Sequence, residues 1–174
     1  MTNFDVAPIS EAEMPVGKPS HAEPWRAPQL VAHARIVLDS YHRLLGVELV
    51  ERCNDPVEQA RRLFEAPRVV VSHGTEADPI LNYGNRTALA LWETDFASLT
   101  QLPSRMTAEP MEREERARLL ERTAREGFVD DYRGVRISTT GKRFRIDRAV
   151  VWNLTDEQGA KVGQAATFAR WEPL

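Results

Sequence analysis

From Leu30 to Leu44 the apolar side chains Leu30, Ala34, Val37, Tyr41 and Leu44 recur at spacings of four and three, the period of one face of a helix. Pro28 suits the first turn of such a helix and Gly46 its end. Asp55-Pro56-Val57-Glu58 announces a second helix, with Asp55 as the cap and Pro56 in the first turn; Pro67 closes it after Leu63 and Phe64. The β-branched run from Arg68 to Ser72 predicts a strand, and Asp78-Pro79 separates it from a short strand over Ile80 to Tyr83. Asn85 to Trp92 and Ser98 to Leu102 read as short helices.

Pro110 opens a longer helix that Gly127 stops. Its solvent face reads as Glu112, Arg113, Glu115, Arg116 and Arg122, opposite a thin apolar stripe of Ala117, Leu120 and Ala124. Beyond it the pattern changes to strands over residues 129–138, 143–154 and 162–171, joined by turns at Thr140-Gly141 and at 156–159. Period-two alternation puts Phe144, Ile146, Val150, Trp152 and Leu154 on one face, and Arg148 interrupts the row. Arg148 is either a bulge or rim position, the favoured reading, or a buried charge with a purpose.

These elements predict an α+β fold: a five-stranded antiparallel sheet with helices on one face, preceded by two N-terminal helices. Residues 1–27, with Pro8, Pro15, Pro19 and Pro24 among polar residues, read as a disordered arm. Residues 28–67 form a helical extension, and 68–174 the domain proper. The Leu30–Leu44 stripe either packs on its own domain or pairs with a second copy in a homodimer.

Composition and charge narrow the function. A net charge of -3 built from 23 basic and 26 acidic residues gives no basic field to attract nucleic acid. No apolar run reaches membrane-spanning length, and the N-terminus lacks the blocks of a signal peptide, so a cytoplasmic protein with no membrane contact is expected. The single cysteine, Cys53, has neither a disulfide partner nor zinc-site neighbours. It is an inert thiol or a redox sensor.

The stretch from Asp78 to Trp92 resembles the start of a PAS core, where a strand leads to an Asn and an Ala-rich helix, and 156–164 resembles the hairpin before the last PAS strand. More specifically, the segments from Ser72 to Ile80 and from Leu102 to Pro110, together with Val151-Trp152-Asn153-Leu154, are similar to MEKHLA-domain proteins of the bacterial, stand-alone type. The resemblance implies a PAS-like fold. It also implies kinship with domains at the C-terminus of plant class III homeodomain-leucine zipper proteins, regarded as sensory and dimerisation modules. Ligand and cofactor stay unknown.

Candidate ligand-binding residues follow from side-chain chemistry. His73 and Asp78 bring an imidazole and a carboxylate to one strand end, for a shared proton or as backbone partners in a tight turn. Arg105, ahead of the long helix, is a fork for an anion or the partner of a nearby acid such as Asp131. Trp92, Tyr132 and Trp152 are large rings expected on the helix-covered side, as pocket wall or as core. Asn82, Arg136 and Arg148 are the polar groups a pocket would point among them. Residues 110–127 hold no His for haem, no cysteine follows Cys53 for a flavin adduct, and no nucleophile elbow or phosphate loop is present. No catalytic or metal-binding residue is assigned. The expected function is a sensory module that binds an unidentified small organic ligand, dimerises through its N-terminal helix and signals through a separate partner. The alternatives are a small enzyme using His73 and Asp78 for proton transfer on an anionic substrate, or a dimerisation adaptor with a filled core.

Overall fold

The structure, a computed structural model, describes residues 23–174. The chain runs α1 (Pro28–Leu45), α2 (Pro56–Phe64), β1 (Val69–His73), β2 (Leu81–Gly84), α3 (Arg86–Trp92), α4 (Phe96–Leu99), α5 (Arg113–Glu126), β3 (Phe128–Ile137), β4 (Arg143–Thr155), β5 (Lys161–Phe168) and β6 (Arg170–Pro173). The strands form one antiparallel sheet in the order β2-β1-β5-β4-β3, with β6 pairing on the first half of β4. The last expected strand is thus split in two at Ala169, and the sheet has six members instead of five.

Caps follow the chemistry of the sequence. Asp55 Oδ1 accepts from the backbone N–H groups of Val57 and Glu58 at 2.9 and 3.2 Å. Gly46 ends α1 in the left-handed region, at φ 72°, where a side chain would be strained. Asn85 is fully buried at the start of α3: its Oδ1 accepts from Val70 and Ala88, and its Nδ2 donates to the Arg68 carbonyl at 2.7 Å. One side chain thereby locks β1 to α3.

Both faces of the sheet are covered. Val70, Trp152, Leu154 and Ala165 pack against Val37, Leu38 and Tyr41 of α1 and Leu63 of α2. On the opposite face Val69, Phe144, Ile146 and Phe168 meet Ala88, Trp92 and Leu99, while Val129 and Val151 meet Leu119 of α5. The apolar face of α1 lies on the sheet, and Ser40 fastens it by donating to the Thr155 carbonyl and accepting from the Thr155 N–H.

Three expectations need correction. Most of the expected arm lies outside the described residues, but its end is built into the fold: Pro24–Arg26 form a 3-10 turn whose Trp25 is buried, 5.0 Å from the Phe64 ring. Phe144 and Ile146 do not share a face with Trp152 and Leu154. Arg148 sits at φ 50°, and between the pairs Gly134↔Ile146 and Tyr132↔Ala149 strand β4 carries one residue more than β3, so the alternation inverts at this bulge. In α5 the row turned inward is Arg116, Leu119, Leu120 and Thr123, whereas Ala117 and Ala124 are exposed. A spacing of three, four and seven aligns that row on one face.

Candidate functional site

Between the sheet and the α5 side lies a cavity of about 70 Å³. Its lining mixes the apolar Val71, Leu81, Ile146, Ala149, Val151 and Phe168 with His73, Trp92, Ser104, Arg116, Tyr132, Arg136 and Gln164. The bulge at Arg148 turns Ala149 and Val151 toward this cavity, and Gly163 lets β5 approach, since a Cβ there would collide with the His73 carbonyl oxygen.

His73, at the end of β1, is 8% exposed. Its Nδ1 lies 2.8 Å from the Gly74 carbonyl oxygen, which can only accept, so Nδ1 carries a hydrogen. Burial depresses the His73 pKa below the usual histidine range and favours the neutral ring, so Nε2 is an acceptor, and it is buried with no partner among the described residues. Trp92 Nε1 is likewise buried and unpartnered.

Arg116 and Arg136 are 8% and 6% exposed. Arg116 projects from the inner row of α5 and donates Nη2 to the Ser104 hydroxyl at 2.7 Å. Arg136, on β3, donates to its neighbour's carbonyl, Val135 O, and to the Tyr132 hydroxyl, each at 2.8 Å, and its guanidinium lies 5.2 Å from the Tyr132 ring centre. Burial, and then the charge of Arg136, lowers the Arg116 pKa to about 10, which still leaves it charged at neutral pH. Burial raises the Tyr132 phenol, so it offers Arg136 a neutral oxygen. Among the described residues no carboxylate forms an ion pair with either guanidinium.

Of the residues singled out in the sequence, His73, Trp92, Tyr132 and Arg136 line the cavity. The others lie elsewhere. Asp78 and Arg105 pair at the surface, with Arg105 Nε 3.1 Å from both carboxylate oxygens, so Arg105 bonds Asp78 instead of Asp131. Asn82 accepts from the Ser72 hydroxyl at 2.6 Å on the α1 side, where His33 Nε2 stands 2.8 Å from the same hydroxyl. Arg148 is exposed at the bulge, and Trp152 is fully buried on the opposite face, under Tyr41. Arg116 is the group that sequence reasoning missed; the signal was its register with Leu119, Leu120 and Thr123. Among the described residues no three His, Cys, Asp or Glu side chains gather as metal ligands, and no helix is long and apolar enough to cross a membrane.

A family model described as the MEKHLA domain matches residues 31–173. Similar curated proteins include the homeobox-leucine zipper protein HOX10 of Oryza sativa subsp. indica, 26% identical over 145 residues, 83% of this chain and 17% of that protein. ATHB-15 of Arabidopsis thaliana is 23% identical over 149 residues, 85% of this chain and 18% of that protein. The chain spans less than a fifth of the length of these relatives. They are plant proteins and lend no support to a bacterial stand-alone type. Among solved structures, the PAS domain of a protein from Colwellia psychrerythraea superposes with a TM-score of 0.58 at 13% identity, over 69% of this chain and 98% of that one. An RNA-binding light-oxygen-voltage receptor gives 0.54 at 15%, over 68% and 34%. At these identities the likeness concerns the fold.

Proposed function

As the chain belongs to the MEKHLA domain family, we propose that it is a sensory domain that holds a small molecule in the cavity between its sheet and α5. The observation that carries this reading is the cavity itself: a small space into whose lining the fold has buried a histidine and two arginines with hydrogen-bonding capacity left over. A core filled for stability alone would place apolar groups there, because buried charge is costly. This weighs against the adaptor with a filled core. It weighs less for an enzyme, since Asp78, the expected proton partner of His73, is half exposed and held by Arg105.

The opposite face supplies a route for output. Tyr41 and Ser40 of α1 contact the same strand β4 whose Ala149 and Val151 line the cavity, so a shift of β4 on occupancy reaches α1 directly. Transfer to a separate partner, and homodimerisation through α1, belong to this proposal. Pairing has to use the outer face of α1, because the Leu30–Leu44 row is turned to the sheet.

The test is thermal melting of the full chain across a panel of small metabolites, with native mass spectrometry for a co-purified species. At least one compound is expected to raise the melting temperature of the wild type, and less so that of Ala149→Leu, which fills the cavity. Equal shifts in both proteins, or none in either, would remove the proposal. Sedimentation equilibrium decides the dimer: a monomer at high concentration removes that part alone.

A further inference from the structure

We propose that the cavity is the site of a short aliphatic hydroxycarboxylate, its carboxylate held between Arg116 and Arg136 and its hydroxyl donated to His73 Nε2. This rests on the ligand-binding reading above and names the ligand class.

Charge comes first. Two guanidinium groups line one small space, near enough to feel each other, and both are withdrawn from water. Isolated buried cations are strongly disfavoured unless an anion accompanies them. Among the described residues no anion pairs with them: Asp78, the acid whose charge reaches Arg116, is engaged by Arg105 at the surface, and Tyr132 and Ser104 present neutral hydroxyls. Each guanidinium has five N–H donors in a planar fork suited to a carboxylate. The bonds to Ser104, Val135 and Tyr132 use only part of that set. An anionic ligand supplies both the missing charge and the missing acceptors.

Size and wall chemistry narrow the class. A cavity of about 70 Å³ is about half the roughly 150 Å³ of an engineered cavity that takes up benzene. Flavin, haem and aromatic acids therefore do not fit without rearrangement. The sheet also lends the cavity the aliphatic side chains Val71, Ile146, Ala149 and Val151, which favour a short alkyl group over a fully hydrated oxyanion such as sulfate. His73 then selects among carboxylates. With Nδ1–H committed to Gly74, its Nε2 asks for a donor, and a ligand hydroxyl provides one. A buried acceptor left without that hydroxyl discriminates against the plain acid.

The experiment is titration calorimetry on the full chain at neutral pH with lactate, glycolate, propionate, 1,2-propanediol and sulfate. Lactate or glycolate is expected to bind at one site, propionate about tenfold or more weakly, and the diol and sulfate not measurably. Arg116→Met and Arg136→Met are expected to abolish binding, and Arg116→Met to melt higher than the wild type without ligand, since it removes an uncompensated buried charge. His73→Phe is expected to bring lactate down to the level of propionate. If Arg116→Met does not fold by circular dichroism, Arg116→Lys, which keeps charge but not the fork, is expected to weaken lactate about tenfold. Sulfate binding as tightly as lactate would overturn the carboxylate assignment. Lactate binding unchanged in the arginine variants, or a lower ligand-free melting temperature in Arg116→Met, would overturn the role of the arginines. Binding of the neutral diol or of other uncharged compounds in place of the acids would sink this inference and leave the sensory reading standing. Failure of every compound in this panel and in the broader melting screen removes both.

Discussion

Tyr41 meets Trp152 edge-on, with ring centres 5.0 Å apart and planes at 76°, and the pair fastens α1 to the centre of the sheet. Trp152 has no exposed surface and lies on the face away from the cavity. Trp152→Ala is therefore expected to cost about 3–5 kcal/mol, the range for emptying a large aromatic site. Tyr41→Ala is expected to cost somewhat less. Denaturant unfolding measures both. Where Trp152→Phe keeps the protein folded, it should leave ligand affinity unchanged, and a large loss of affinity would contradict the placement of the cavity on the other face.

Arg148 decides which side chains face which way. Its φ of 50° is uncommon for a residue with a side chain and costs about 1 kcal/mol. Arg148→Gly relieves that strain, so its stability is expected within about 1 kcal/mol of the wild type or slightly above it. Deleting residue 148 is a different operation. It removes the extra residue, and plain alternation then keeps Phe144, Ile146, Ala149 and Val151 on the cavity side and Val150, Trp152 and Leu154 on the α1 side, so a folded protein is expected. A deletion variant that fails to fold by circular dichroism and thermal melting would refute the inversion.

This bulge also marks where the sequence stopped being legible. The order and type of the elements follow from local signals, such as the Asp55 and Asn85 caps, the β-branched run of β1 and the glycines at 46 and 127. The pairing of faces does not, because alternation read through residue 148 places Trp152 beside Phe144, whereas one extra residue puts them on opposite sides. The site was half visible for a similar reason. His73, Trp92, Tyr132 and Arg136 were recognisable by side-chain type, but Arg116 is one of many charges on a charged helix. Only its register with Leu119 separates it from the solvated arginines around it.

Arg105 and Asp78 illustrate the opposite error, a chemically attractive pair that proves superficial. Their side chains are 47% and 52% exposed, and an exposed ion pair contributes at most about 1 kcal/mol. Arg105→Ala is expected to lower stability by less than that and to leave ligand binding intact. Chemical unfolding and calorimetry check the two halves separately, and a binding loss comparable with that of Arg136→Met would mean that the surface loop is part of the site.

His33 gives the fold an acid-sensitive joint. The Ser72 hydroxyl donates to Asn82 Oδ1, so its oxygen accepts from His33 Nε2–H, while the His33 ring packs 5.6 Å from that of Tyr83. Burial lowers the His33 pKa from 6.5 to about 4. In that interval the unfolded chain binds a proton that the folded protein refuses, so stability rises with pH. The contribution is complete above pH 6.5 and is lost as the pH falls toward 4, a difference of at most about 3 kcal/mol at 1.36 kcal/mol per unit. His33→Gln keeps a donor for Ser72 and removes the titration. Unfolding free energies measured across this range should therefore fall more steeply for the wild type than for His33→Gln, the two curves converging toward the acid end. Parallel curves would show that His33 is not buried as a neutral ring.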